Sequence, residues 1–322
     1  MAAFDPGTPG SANMVSNANV PNFIPELWSD EVLAAYKANL VMPQLVTKMP
    51  FSGRKGDTIH LPKGVRGAAS AKAAQTQVTL IVGADSVFNL TIDQHWEYSR
   101  LIEDITSVQA LDSIRAFYTD DAGYALATQV DSSLHDEGAK FAAADAAPTV
   151  AGSAYSKAVI GSDASTAWAA ATSGNGTALA DAGIRRAIRE LDDNDVPSRM
   201  RAWVIPPVEK ENLMSIARFT EQAFTGEAGS SNSIRNGLVG DLYGIPVYVS
   251  TNCETVLSAD STEYRACLLF QKEAVVHAEQ LAPRTQTQYK QEFLSDLFTA
   301  DILYGNGTMR PEAGLALIVP AA

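Results

Sequence analysis

Residues 99–141 read SRLIEDITSVQALDSIRAFYTDDAGYALATQVDSSLHDEGAKF, and the rest of the chain is organised around them. Apolar side chains recur at Leu101, Ile105, Val108, Leu111, Ile114, Phe117, Tyr118, Ala122, Leu126, Val130 and Leu134. Steps of three and four keep returning to one side of a helix with 3.6 residues per turn, so the spacing predicts one amphipathic helix from Leu101 to about Lys140. Glu103, Asp104, Asp112, Asp120, Asp121, Asp131, Asp136 and Glu137 fill the other faces, no proline interrupts, and Gly138 marks the end as a terminal glycine commonly does. At about 1.5 Å per residue the helix would run roughly 60 Å, far beyond the usual three turns. A rod of that length with one apolar stripe suits an elongated building block. A long helix of an ordinary domain fits the same pattern, and this stretch alone leaves both readings open.

The 322 residues suffice for two or three structural units and a large core. With 46% hydrophobic and 19% charged residues the composition is globular. Lys and Arg number 24 against 37 Asp and Glu, a formal charge of -13. That balance argues against a protein that grips phosphate backbones with a basic face, although not against one that encloses nucleic acid. Cys253 and Cys267 form no disulfide framework and match no paired zinc motif, so they read as buried thiols in a reducing compartment. No apolar run is long enough to span a bilayer and the first residues lack a signal-peptide pattern; the expectation is a soluble chain made in a cytoplasm, with no membrane partner.

Outward from the helix, Met1 to Asn22 is rich in Ala, Gly, Pro, Ser and Asn and reads as an arm that only a neighbour would order. Pro25 to Met49 turns helical, with Leu27, Trp28, Val32, Leu33, Tyr36, Leu40 and Val41 as its apolar face, and Pro43 ends or kinks it. From Pro50 to Asp93 the period falls to two: Asp57 to Leu61 alternates, then Val78, Leu80 and Val82, then Phe88, Leu90 and Ile92. This is a long β-hairpin with a loose tip, and it carries Arg54, Lys55, Lys63, Arg66 and Lys72 in an otherwise acidic chain. A free hairpin is marginal in water, so it needs a surface to lie on, either a neighbour's or its own domain's.

Ala142 to Ala180 is dominated by small residues and reads as a linker with one short element. Asp181 to Asp192 is a helix with Ile184, Ile188 and Leu191 inward and Arg185, Arg186 and Arg189 outward. Ala202 to Ile205 is a buried strand, and Pro207 opens a further helix with Leu213 and Ile216 inward. Glu221 to Asn236 reads as a surface loop, while Ile245 to Ser250, Ala266 to Phe270 and Ala274 to His277 read as strands. Thr285 to Tyr304 and Leu315 to Val319 read as strands flanking a turn at Gly305-Asn306-Gly307. Helix, strand and helix in that order point to a domain around a central sheet.

A chemical site does not emerge. His60, His95, His135 and His277 are far apart, and none pairs at helical ligand spacing, so no metal is expected. In the triplet His135-Asp136-Glu137 consecutive helical side chains point in different directions and cannot converge on one substrate atom. There is no Gly-x-Ser-x-Gly elbow, neither cysteine has a nucleophile's context, and Gly237, Gly240 and Gly244 lack the Gly-Lys-Ser/Thr ending of a phosphate loop. The expectation is a protein that is not an enzyme, with no catalytic residue and no cofactor. The contrasting reading, a soluble hydrolase or transferase assembled from scattered Asp, Glu and Ser, requires a convergent pocket with perturbed carboxylates.

Two stretches carry a family resemblance. Gly237-Leu-Val-Gly-Asp-Leu-Tyr-Gly-Ile-Pro-Val-Tyr-Val-Ser250 is a glycine-punctuated approach to a strand, and Asp301 to Val319 holds Tyr304-Gly305 and Arg310-Pro-Glu-Ala313 before an apolar strand. With the order arm, hairpin, long acidic helix, linker and compact domain, they resemble the tailed-phage major capsid protein family, the Hong Kong 97 fold, over nearly the whole chain. The resemblance implies an α+β fold: N-terminal arm and first helix in 1–49, hairpin E-loop in 50–93, and a peripheral domain with the spine helix in 94–150. An axial domain around a central sheet would follow in 151–284, with C-terminal strands returning to both domains in 285–322. It implies a homo-oligomer of pentamers and hexamers, a bacteriophage shell assembled in a bacterial cytoplasm that encloses double-stranded DNA without sequence-specific binding. A portal protein, a separate scaffolding protein or none, and a decoration protein are the partners it suggests. Inter-subunit contacts are expected at Trp28, Arg54, Lys55, Lys63, Arg66, Lys72, Arg310 and Glu312, the basic hairpin supplying attraction and register on an acidic neighbour. Some members cross-link a hairpin lysine to an asparagine of another subunit; Lys55, Lys63, Lys72 and Asn306 are the residues of those types here. The nearest alternative within the same fold is an encapsulin-type bacterial compartment that stores cargo enzymes.

Overall fold

The structure, a computed structural model, describes residues 14–15, 41–51, 56–64, 67, 69–78, 80, 85–104, 113–144, 155–216 and 241–321. In chain order it contains β1 (Met14–Val15), α1 (Met42–Leu45), β2 (Thr47–Pro50), β3 (Thr58–Gly64), β4 (Asp85–Thr91) and β5 (Gln94–Glu103). Then come α2 (Ser113–Asp136), a 3-10 turn at Glu137–Lys140, β6 (Val159–Ile160), α3 (Asp181–Asp193), β7 (Arg201–Ile205) and α4 (Pro207–Ser215). The remainder is strand: β8 (Asp241–Leu242), β9 (Ile245–Val249), β10 (Thr255–Leu257), β11 (Glu263–Gln271), β12 (Val275–Lys290), β13 (Ser295–Thr308) and β14 (Gly314–Pro320).

These build two sheets and a hairpin. The first sheet has the order β1-β5-β13-β12-β2 and the second β6-β14-β11-β7-β9-β8, with β10 also on β11, while β3 and β4 pair only with each other. The chain leaves the second sheet after β11, makes the antiparallel pair β12–β13 in the first, and returns as β14. Strands β7, β11 and β14 lie side by side in the second sheet, and their near-unbroken apolar runs follow from cover on both faces. One core joins both sheets, and Ala122, Leu126, Val130 and Leu134 of α2 belong to it, so the sequence stripe is the buried face.

The helix does not begin at Leu101, where its periodicity places the start. Leu101 and Ile102 are buried in β5, where they pair with Leu297 and Asp296 of β13, and residues 105–112 lie outside the described residues. A short apolar run fits either period, and at 101–103 the ladder to β13 satisfies the backbone. The 24 described residues of α2 run about 36 Å. Pro43 sits in the first turn of α1, after which β2 runs parallel to β12. Residues 16–40, and with them the rest of the expected first helix, lie outside the described residues.

Two further expectations change. The segment read as a linker is packed: Tyr155, Val159, Trp168 and Leu179 are buried, and Trp168 meets Tyr264 edge-on with ring centroids 4.7 Å apart. Gly305-Asn306-Gly307 is no turn but the interior of β13. The turn of that hairpin lies between Lys290 and Ser295 instead. The glycines are there for clearance, because a Cβ on Gly305 would stand 2.4 Å from the Thr91 carbonyl oxygen, and one on Gly307 2.8 Å from the Phe88 ring. Gly305→Ala should therefore cost about 1–3 kcal/mol, since backbone cannot yield as a side-chain tip can. Its check is a lowered thermal midpoint with faster proteolysis in residues 56–91; a midpoint unchanged from wild type would refute the clearance argument.

The Tyr243-Gly244 pair does make a turn. Both have positive φ, 53° and 80°, as a type I′ connection between β8 and β9 requires. Helix α3 matches its reading, with Ile184 and Leu191 buried and Arg185, Arg186 and Arg189 paired outside to Asp181, Glu190 and Asp193. Residues 217–240, including the expected loop, lie outside the described residues.

Candidate assembly surfaces

The β3–β4 hairpin is in register from Thr58 opposite Thr91 to Gly64 opposite Asp85. Its base is seated on the first sheet: Leu90 packs with Val276 and Ala278, and Ile59, Leu61, Phe88 and Met309 close around them. Beyond the base none of the described residues covers it. Val78 is 58%, Leu80 82% and Val87 57% exposed, although all three are strand-forming apolar residues. Among the described residues, 69–78 form no strand, so the alternation of Val78 and Leu80 finds no ladder within the subunit. Exposed apolar surface on a projecting element makes it a candidate contact surface.

The predicted contact residues fall in several places. Lys63 Nζ lies 3.4 Å from Glu312 Oε1 with both side chains nearly half exposed, a pair worth less than about 1 kcal/mol. Arg310 reaches Glu273 at 3.3 Å. These three line one groove of about 490 Å³ together with Leu61, Val196 and Met309, between the hairpin base and the turn after α3. Lys72 is exposed on the distal hairpin. Trp28, Arg54, Lys55 and Arg66 lie outside the described residues. Asn306, read as a turn residue, is instead held in β13, where its Nδ2 donates to Ser133 Oγ at 2.9 Å and its Oδ1 lies 2.6 Å from His277 Nδ1.

That network is as close as the described residues come to a catalytic arrangement. His277 Nε2 lies 3.0 Å from Glu279 Oε1, and Ser133 is two bonds further along. The Asn306 amide, however, stands between imidazole and hydroxyl, and Ser133 Oγ donates to the Val130 carbonyl at 2.9 Å. No base can take its proton, so the group ties β12 and β13 to α2 without activating a nucleophile. Burial pushes the Cys253 thiol up to about 12 and Cys267 well above the thiol range, leaving both unreactive. Among the described residues no three His, Cys, Asp or Glu side chains are placed to hold a metal ion, and no helix is long and apolar enough to cross a membrane.

Sequence reasoning missed the residues that join the layers. Asp131, fully buried on α2, accepts the N–H groups of Val41 and Met42 at 3.1 and 2.9 Å and the side-chain amide of Asn252 at 2.9 Å. Burial raises its carboxyl, but His135 at 3.6 Å, Asn252 and the Met42 N–H more than offset this and hold it below the usual carboxylate range. An acidic residue on the apolar stripe between Val130 and Leu134 was the available signal.

A chain of two sheets with helices packed on them and a projecting hairpin left half bare, and with no reactive centre among the described residues, has the build of a structural subunit made to be completed by other chains. Comparison with known proteins agrees. The family described as Phage capsid protein matches residues 46–316, and the chain belongs to that family. Its fold is the Hong Kong 97 type, and its role is non-enzymatic, as a major capsid protein within a multimeric virion shell. A solved structure from Mycobacterium phage Che8 is 26% identical with a TM-score of 0.69, covering 92% of this chain and 97% of that one. The capsid structure of the cyanophage P-SCSP1u is 17% identical with a TM-score of 0.68 over 98% of this chain and 99% of that one. The mature capsid of bacteriophage PhiM1 is 14% identical with a TM-score of 0.66, covering 92% of each chain. No curated protein matches the sequence.

Proposed function

We propose that this capsid protein forms pentamers and hexamers that close into an icosahedral shell around the double-stranded DNA of a tailed phage. The observation that carries the reading is the half-covered hairpin, whose base is fixed by Gly305 and Gly307 while Val78, Leu80 and Val87 stay exposed until another subunit supplies the cover. A related capsid, of a GTA particle, was computed with C5 symmetry, and it shares the fold at a TM-score of 0.61. In this reading the first sheet with α2 is the peripheral domain, the second sheet is the axial domain, and the hairpin is the E-loop. Assembly takes place in the host bacterial cytoplasm with a separate scaffolding protein, a portal protein at one vertex and room for a decoration protein.

Light scattering and negative-stain microscopy of the purified chain, alone and with its scaffolding protein, test this. Closed particles or tubes of megadalton mass are expected; a stable monomer or dimer under every condition would overturn it. With a formal charge of -13 the shell should also enclose DNA without gripping it. Empty shells are expected to show no tight DNA binding at physiological salt in a filter-binding titration.

A further inference from the structure

Strand β12 is longer than the partner on its outer side. β13 pairs with it as far as Lys290, whereas β2 accompanies only Val276 to Glu279, so from Gln280 to Lys290 the second edge of β12 meets no strand among the described residues. The side chains from Ala282 to Tyr289 are exposed on both faces. Edge strands are commonly blunted by charge, proline or bulges. Here the two register shifts and Pro283 all lie before Arg284, and the Arg284 guanidinium is engaged by both oxygens of Asp301 at 2.8 and 2.9 Å. Beyond it Thr285-Gln-Thr-Gln-Tyr289 runs in unbroken register opposite Ala300 to Asp296 and carries no charge. The unpaired N–H and C=O groups of such an edge are a template for one more strand.

The chain also holds a strand-forming stretch that finds no ladder among the described residues. A turn closes at Ala73, whose carbonyl accepts the N–H and the hydroxyl of Thr76 at 3.4 and 2.7 Å, with Gln75 at a φ of 62°. From there the sequence alternates Thr76, Val78 and Leu80 with Gln77 and Thr79, and Val78 and Leu80 are bare. On β12 Thr285, Thr287 and Tyr289 alternate in the same way with Gln286 and Gln288. Each stretch thus sets β-branched, aromatic or apolar side chains on one face and mostly amides on the other, the kinds that pair well across strands. Neither is charged, so bringing them together desolvates no ion. We propose that residues 76–80 of one subunit add as an extra strand to the free edge of β12, at Thr285 to Tyr289, in a neighbouring copy. The inference rests on the reading that another subunit covers the hairpin, and it names the covering surface and the bond, a backbone ladder of ordinary strand length.

The test is hydrogen exchange on the wild-type full chain, free and assembled, with cysteine cross-linking to identify the donor. Backbone amides in 285–289 and 76–80 should gain at least about tenfold in protection on assembly. Val78→Cys combined in turn with Thr285→Cys, Thr287→Cys and Tyr289→Cys should give disulfide-linked multimers on oxidation in at least one pair; all four positions are exposed, so cysteine there spares the fold. Assembled particles whose residues 285–289 exchange as fast as in the free subunit would overturn the pairing and leave the shell reading intact. Protection there without a linked multimer from any pair would overturn it as well, by giving the edge to another segment. Protection and cross-links found in tubes or open sheets alone would sustain the pairing and sink the icosahedral reading, and a chain that never assembles would remove both.

Discussion

Asp131→Ala should lower the stability of the subunit by roughly 3–5 kcal/mol, because it strands three donors in a dry site: the N–H groups of Val41 and Met42 and the Asn252 amide. The damage is spread over three parts of the chain, since Asp131 is where the segment entering α1, the helix α2 and the loop before β10 meet. Asp131→Asn retains an oxygen for the two backbone groups, and Asn252 can turn its own amide to answer, so this variant should lose only about 1–2 kcal/mol. Urea midpoints of the three chains check the order, and equal midpoints for the alanine and asparagine variants would remove the hydrogen-bond argument. Acid should imitate the substitution. The folded carboxyl lies below its ordinary 3.8, so its contribution is complete above that pH and is lost as pH falls through the lowered value.

Trp168→Ala should cost about 3–5 kcal/mol, the range for emptying a large aromatic site in a core. Trp168 is fully buried and its ring leans on Tyr264, while the bond to the Ala158 carbonyl at 2.8 Å comes from its backbone N–H and survives the substitution. Gly174 is glycine because any Cβ there would stand 2.6 Å from the tryptophan ring, so the surrounding loop is shaped to this side chain. A drop of several degrees in thermal midpoint, recovered in part by Trp168→Phe, is the expected result. A change below 0.5 kcal/mol would mean that residues 155–180 behave as the linker their composition suggests.

The assembly surfaces were partly legible. The period-two runs before the long helix announced a hairpin, and its lysines and arginines, set in an acidic chain, suggested a contact element. Lys63, Arg310 and Glu312 do gather in one groove, but Lys63 and Glu312 are already paired across 249 residues of sequence, which no local pattern could reveal. The joint of Asp131, Asn252 and the α1 backbone was invisible for the same reason. A lone aspartate on an apolar stripe signals only that something must satisfy it.

By itself, the sequence determined the elements whose periodicity is strong and local. These are the hairpin strands, the stripe on α2, the amphipathic α3 and the apolar runs of β7, β11 and β14, together with the absence of any spaced catalytic or metal motif. Only the tertiary structure decided where those elements end and what small residues are for. Leu101 and Ile102 went to a strand because β13 offered a ladder, and Gly305 and Gly307 became strand interior because the hairpin lies against them. The alanine-rich segment became core because Trp168 reached Tyr264. Periodicity records which face of an element is buried; clearance, pairing and satisfaction depend on groups hundreds of residues away, and those exist only once the chain has folded.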